Sequence, residues 1–186
     1  MPIARIVAVA GVVLAGVLIL AAHRRRRELP AREIALSVYF TDPSRATMTA
    51  AYAAIALALV ATACLELDRA SGAETVAAVA CVVAAILLAP VAGTTQRNAL
   101  VVRSNAIRRA HRYAAVSAFL AAGVAMAASA VGAITRANMP VLLLGVLGAV
   151  LVTVVLRSQP GPTYGLWQKL LLGVLGGWIV AVAAAG

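Results

Sequence analysis

The residues with the densest chemistry in this chain are His23-Arg24-Arg25-Arg26-Arg27, directly after an apolar run from Ile3 to Ala22. Guanidinium groups stay charged and only donate, so four in a row make a binding surface for phosphates or carboxylates. A second basic group, Arg103, Arg108, Arg109 and Arg112, surrounds His111. The chemistry expected of both is docking, of anionic lipid headgroups or of an acidic partner protein, at about 1 kcal/mol per basic residue near a charged surface. Part of the same charge serves topology, since arginines stay on the cytoplasmic side of a bilayer.

The remaining reactive side chains are few. His23 and His111 could supply two axial ligands to a haem, but adjacent arginines disfavour another cation, and interfacial histidines among headgroups are expected instead. Glu66, Asp68 and Glu74 cluster at one turn. Three carboxylates can bind a cation, yet their spacing is poor, and a solvated loop partly neutralised by Arg69 is expected. Thr62, Ser117, Ser129 and Thr153 lie inside apolar runs without a base beside them. They are expected to hydrogen-bond their own backbone or a neighbouring helix. Cys64 and Cys81 sit in apolar surroundings, where a thiol behaves as a small hydrophobe and no disulfide framework is implied. We therefore expect no catalytic residue, no metal site and no cofactor.

What positions these groups is a set of apolar segments. Of 186 residues 63% are hydrophobic, and mean hydropathy is +0.99, far above the 45–50% or so of soluble domains. Six runs approach the roughly 20 residues that cross a bilayer: 3–22, 47–67, 73–92, 113–134, 140–156 and 164–185. The expected fold class is all-α, a polytopic membrane protein of one six-helix transmembrane domain.

Charge then gives orientation. The net charge is +10 from 16 basic and 6 acidic residues. If the loop after the first span is cytoplasmic, thirteen of the sixteen basic residues fall inside, and only Arg5, Arg69 and Arg136 outside. That asymmetry predicts both termini outside, in a bacterial cytoplasmic membrane. The first span is not expected to be a signal peptide, because its positive charge follows the apolar core. Basic residues between spans are membrane-flanking, and aromatics at 4% supply no stacking groove, so no nucleic acid is expected. Tyr39, Phe40, Tyr52, Tyr113, Tyr164 and Trp167 fall near the inner boundary and Trp178 nearer the outer one, where rings anchor among headgroups.

Two inner loops are long. In the first, Ile34, Leu36, Val38, Tyr39 and Phe40 predict a short helix lying in the interface, followed by Asp42 as an N-cap with Pro43 at the first helical position. In the second, Leu100, Val101, Ser104 and Ile107 predict a basic amphipathic helix running into the fourth span. Leu142-Leu143-Leu144-Gly145-Val146-Leu147-Gly148 recurs as residues 170–176. Small residues let helix backbones approach, so Gly145, Gly148, Gly173, Gly176 and Gly177 predict tight packing of the fifth helix on the sixth.

Leu36-Ser37-Val38-Tyr39 before the second span and Arg109-Ala110-His111-Arg112 entering the fourth resemble an uncharacterised six-helix bacterial membrane family, domain of unknown function 998. The resemblance implies architecture over most of the chain and no activity. The family's Phe-Pro-Thr-Asp type segment after the third helix is replaced here by Ala89-Pro90-Val91-Ala92-Gly93-Thr94. The functional expectation from sequence is a non-enzymatic accessory subunit of a larger membrane assembly, with a membrane protein partner or a second copy. A lipid-binding or lipid-moving protein using the arginine clusters is the alternative, and a haem-carrying electron-transfer subunit the third.

Overall fold

The computed structural model describes residues 1–29, 33–40, 44–69, 71–94, 105–158 and 163–185, with only the backbone of 37, 40, 94, 105, 107 and 108. Six long helices account for nearly all of it, and no strand occurs among the described residues: α1 Pro2–Arg25, α2 Arg45–Leu67, α3 Gly72–Thr94, α4 Asn105–Thr135, α5 Met139–Arg157 and α6 Tyr164–Ala184. All six are long and apolar enough to cross a membrane. The outward side chains are apolar too, among them Ile3, Leu57, Ile86, Leu143 and Val150. Such a surface is tolerated only where lipid replaces water. We call the end carrying Arg24 to Arg27 the basic end and the other the far end.

Helix boundaries follow local chemistry. Pro2 occupies the first helical position of α1, where a missing N–H costs nothing, and His23, Arg24 and Arg25 complement the dipole of its last turn. The Asn138 side chain accepts from the Val141 N–H at 3.2 Å and so caps α5. Between α4 and α5 the chain reverses through Ala137 at φ 53°, closed by the Asn138 N–H donating to the Ala133 carbonyl at 3.0 Å. That left-handed position normally belongs to glycine. Asp42 and Pro43 lie outside the described residues; the described start of α2 has Ser44 at its N-cap, with no side-chain cap bond. Leu100, Val101 and Ser104 also lie outside them, while Arg109 to Arg112 are already inside α4.

Helices meet through small residues. On α1, Ala8, Gly11 and Ala15 are buried, and a Cβ on Gly11 would stand 2.8 Å from the Ala54 carbonyl oxygen of α2. Although α5 lies against α6, the glycines of the recurring Leu-Leu-Leu-Gly segments do not meet each other. Gly145 and Gly148 face α4, where a Cβ on Gly145 would lie 2.5 Å from the Met126 carbonyl. Gly173 faces open space, Gly176 approaches Val12 of α1, and Gly177 alone looks toward α5, at Leu144. The repeat is explained by registry: the same motif on two helices presents its glycines to different neighbours. Trp178 is also displaced from its expected place, because it is fully buried in the core instead of anchoring at an interface.

Two substitutions test this packing. Gly145→Val is expected to destabilise by about 2 kcal/mol through overpacking against the Met126 backbone, whereas Ala137→Gly is expected to stabilise by about 1 kcal/mol by relieving the left-handed strain. Both are read by unfolding of the detergent-solubilised protein followed by circular dichroism.

Candidate anion-binding site at the basic end

The site begins with a short strap. Residues 33–40 cross the basic end and contain a single 3-10 turn, Leu36–Phe40. The sequence predicts this segment in the interface, but Leu36 and Tyr39 are completely buried, packed with Met48, Tyr52 and Val91. The reason is polar as well as apolar. Gln168 of α6 accepts the Leu36 N–H at 2.9 Å, and Lys169 donates to the Ile34 carbonyl at 3.0 Å. Gly165, one turn earlier on α6, has no Cβ to collide with the Ile34 backbone. Three residues of α6 therefore satisfy and seat a stretch of backbone that could not be buried otherwise.

Cations gather around this strap. The His23 ring stacks on Tyr39 with centroids 4.3 Å apart, and its Nδ1 lies 2.9 Å from the Ile19 carbonyl. Lys169 Nζ stands 5.7 Å from the Tyr39 ring centroid, within cation–π range. Arg26 is largely buried and pairs with the exposed carboxylate of Glu28, which holds Glu28 below the usual carboxylate range. Arg25 donates to Thr47 at 3.0 Å, linking the end of α1 to the start of α2. The Tyr39 hydroxyl is buried without a hydrogen-bond partner among the described residues. Burial raises its pKa; Arg26 opposes this and Glu28 adds to it, so both charges lie within electrostatic reach.

From this cluster a groove of about 250 Å³ runs along the seam of α1 and α6. Its walls are Val12, Ala15, Ile19, Leu172, Gly176 and Ile179, and Lys169 stands in its lining at the basic end. Gly16 and Gly173 keep it open, since nothing lies within 4 Å of where their Cβ atoms would be. An apolar trench with an ammonium at one end and arginines beyond it matches an acyl chain below an anionic headgroup.

The arginines expected to act together divide. Arg24, Arg25 and Arg27 are exposed at the end of α1, and Arg26 is largely buried in its ion pair. Arg109 and Arg112 are exposed on α4. Arg103 and the side chain of Arg108 lie outside the described residues. His23 and His111 serve different surroundings: His23 stacks in the strap cluster, and His111 lines an interior cavity with Tyr52, Tyr164 and Gln168. Among the described residues no three metal-ligating side chains come together. Lys169 and Gln168 were missed as site residues; their only sequence signal is polarity in the first turns of an otherwise apolar helix.

The far end corrects one expectation outright. Glu66 and Glu74 are not in a solvated loop; both are fully buried. Glu66 accepts from Ser129 of α4 at 2.6 Å and from Arg69 at 3.1 Å, and Arg69 reaches on to the Val182 carbonyl of α6 at 2.7 Å. Glu74 pairs with Arg136, and Gly132 makes room for its carboxylate. Burial together with repulsion from Arg69 lowers the Arg136 pKa, and Glu66 opposes that. The expected Arg69 partnership is present, but Ser129 and Arg136 complete a network joining α2, α3, α4 and α6. Thr62 and Thr153 bond back to the carbonyls of Ala58 and Ala149, as expected, and Cys64 and Cys81 are free thiols.

No family model, curated protein or solved structure matches this chain. Its site therefore rests on its own geometry. Removing one member of a buried ion pair leaves the other charge uncompensated, so Glu66→Ala is expected to cost about 3 kcal/mol or more. Asp68→Ala, at an exposed position two residues on, is expected to change stability by less than about 0.5 kcal/mol. Denaturant unfolding in micelles distinguishes them, and equal effects would refute the network.

Proposed function

We propose that this chain is a non-catalytic lipid-binding protein of the bacterial cytoplasmic membrane. Its basic end faces the cytoplasm, and an anionic phospholipid of the inner leaflet lies along α1 and α6. The observation that carries this reading is the open α1–α6 groove ending on Lys169. Headgroup oxygens would accept from Lys169 and from the buried Tyr39 hydroxyl, with Arg26 exchanging Glu28 for phosphate. A charge-assisted bond to phosphate is stronger than a neutral one, which favours anionic over zwitterionic lipid. The exposed arginines of α1 and α4 would hold the inner leaflet's anionic lipids nearby without geometric selection.

The accessory-subunit reading retains one supporting observation. α1 spends its small residues on α2 and turns Ile6, Val13, Val17 and Leu20 outward. A partner helix seated there would make the outward face of α1 an interface rather than a lipid surface.

The lipid reading is tested by native mass spectrometry of protein released from nanodiscs of equal phosphatidylglycerol and phosphatidylcholine. One retained phosphatidylglycerol is expected, with retention reduced about ten-fold in Lys169→Gln and in Gly173→Leu, which fills the groove. Indifference to headgroup, or unchanged retention in both variants, would overturn it. A stoichiometric protein retained by wild type and lost on outward substitutions in α1 would instead support the subunit reading. Orientation is tested separately: a lone cysteine at Ser71 is expected to react with an impermeant maleimide in intact cells, and one at Ser158 is not.

A further inference from the structure

We propose that the interior cavity is a second binding site, for an uncharged amphiphile whose hydroxyl or carbonyl head lies among Tyr52, His111, Tyr164 and Gln168, entering where the strap closes the basic end. The ligand and the residues that hold it differ from those of the groove.

The cavity is enclosed by α2, α3, α4 and α6, and it is polar at one end only. Tyr52, His111, Tyr164 and Gln168 all belong to the first turns of their helices, at the basic end. Seven residues further along, Leu59 on α2 and Leu175 on α6 line the same space. Seven residues are about 10 Å of helix at 1.5 Å each. Every lining residue beyond the polar group is apolar, including Ala118, Phe119 and Ala122. The space is thus graded from a hydrogen-bonding mouth to an apolar interior, as an amphiphile is graded from head to tail.

The head must be neutral. No Arg, Lys, Asp or Glu lines the cavity among the described residues, and a charge buried without a partner is strongly disfavoured. Phenol, imidazole and carboxamide groups both donate and accept, which suits a hydroxyl or a carbonyl. The Arg24 to Arg27 cluster lies outside this lining, so the two ligand classes separate by charge.

Access follows from the strap. Leu36 and Tyr39, both completely buried, share a packed cluster with Tyr52 and Val91, with Leu88, Ala115 and Leu172 against it, and these five also line the cavity. The strap therefore lies behind the polar end of the lining and holds it together. With the strap in place the cavity is about 60 Å³, where one water needs roughly 10–15 Å³. Withdrawal of Leu36 and Tyr39 would remove the packing behind Tyr52, Leu88 and Leu172. Gln168 ties the strap to the ligand, because its Oε1 already accepts the Leu36 N–H. An incoming hydroxyl competes for that same oxygen.

The test is photolabelling of the full chain in phosphatidylcholine nanodiscs with a diazirine-bearing long-chain alcohol, alongside the matching alkane without the hydroxyl. Alcohol adducts are expected within residues 52–59 and 115–122, about ten-fold above the alkane. Ala118→Leu, which fills the cavity, is expected to remove them, and Ala127→Leu, on the outward face of the same helix, to leave them. Should Ala118→Leu lose its helical circular dichroism, Gln168→Leu is read instead and is expected to erase the preference for alcohol over alkane. Adducts confined to outward residues of α1 and α5, or alcohol and alkane labelling alike in wild type, would overturn the proposal.

Discussion

The basic end depends on the docking of one stretch of backbone onto α6. Residues 34 and 36 are held by Lys169 and Gln168, and Gly165 gives the Ile34 backbone room. Unpaired peptide groups at membrane depth cost several kcal/mol each, so irregular chain survives there only when something satisfies it. Two adjacent polar residues on one helix do this from opposite sides: Gln168 lines the interior cavity and Lys169 lines the groove toward α1. The proposed lipid site and the proposed interior site thus share a wall, Ile55, Leu172 and Leu175, and the strap is held beside it.

The far end is built on the opposite economy. There the chain buries two carboxylates completely and sets each against a guanidinium that stays partly exposed, with Ser129 and the Val182 carbonyl adding hydrogen bonds around Glu66 and Arg69. Such pairs contribute little net stability against an apolar alternative but penalise any arrangement that separates them. They tie α2, α3, α4 and α6 together at one end, while α1 is joined to the bundle chiefly through Ala8, Gly11 and Ala15. The polar ties of the bundle thus lie opposite the proposed sites, and the seam of α1 with α6 is lined mostly by apolar residues.

Much of this architecture was legible in the sequence, and the reason is the bilayer. A lipid solvent makes apolar length nearly sufficient to define a span, and all six segments appear within a few residues of their expected bounds, with α4 starting eight residues earlier at Asn105, in the stretch expected to run as a helix into the fourth span. Side-chain partners were less legible. Glu66 and Glu74 sit beside a turn, and local sequence places turns in solvent; their burial depends on Ser129 and Arg136, more than fifty residues away. Gly145 and Gly148 are closely packed while Gly173 faces open space, because which neighbour each meets depends on rotation about the helix axis, which the repeat does not encode. Tyr39 looked like an interfacial anchor because its partners, His23 and Lys169, come from two other helices.

The most direct measurement is amide hydrogen exchange of residues 33–40 in nanodiscs. If the strap is a seated part of the fold, the Leu36 amide, which donates to Gln168, exchanges as slowly as amides inside α6, and Gln168→Leu releases it to the rate of an open loop. Exchange of Leu36 at the loop rate in the wild-type protein would contradict the account, since neither the Lys169 groove nor the packing behind the cavity's polar end would then be held in place.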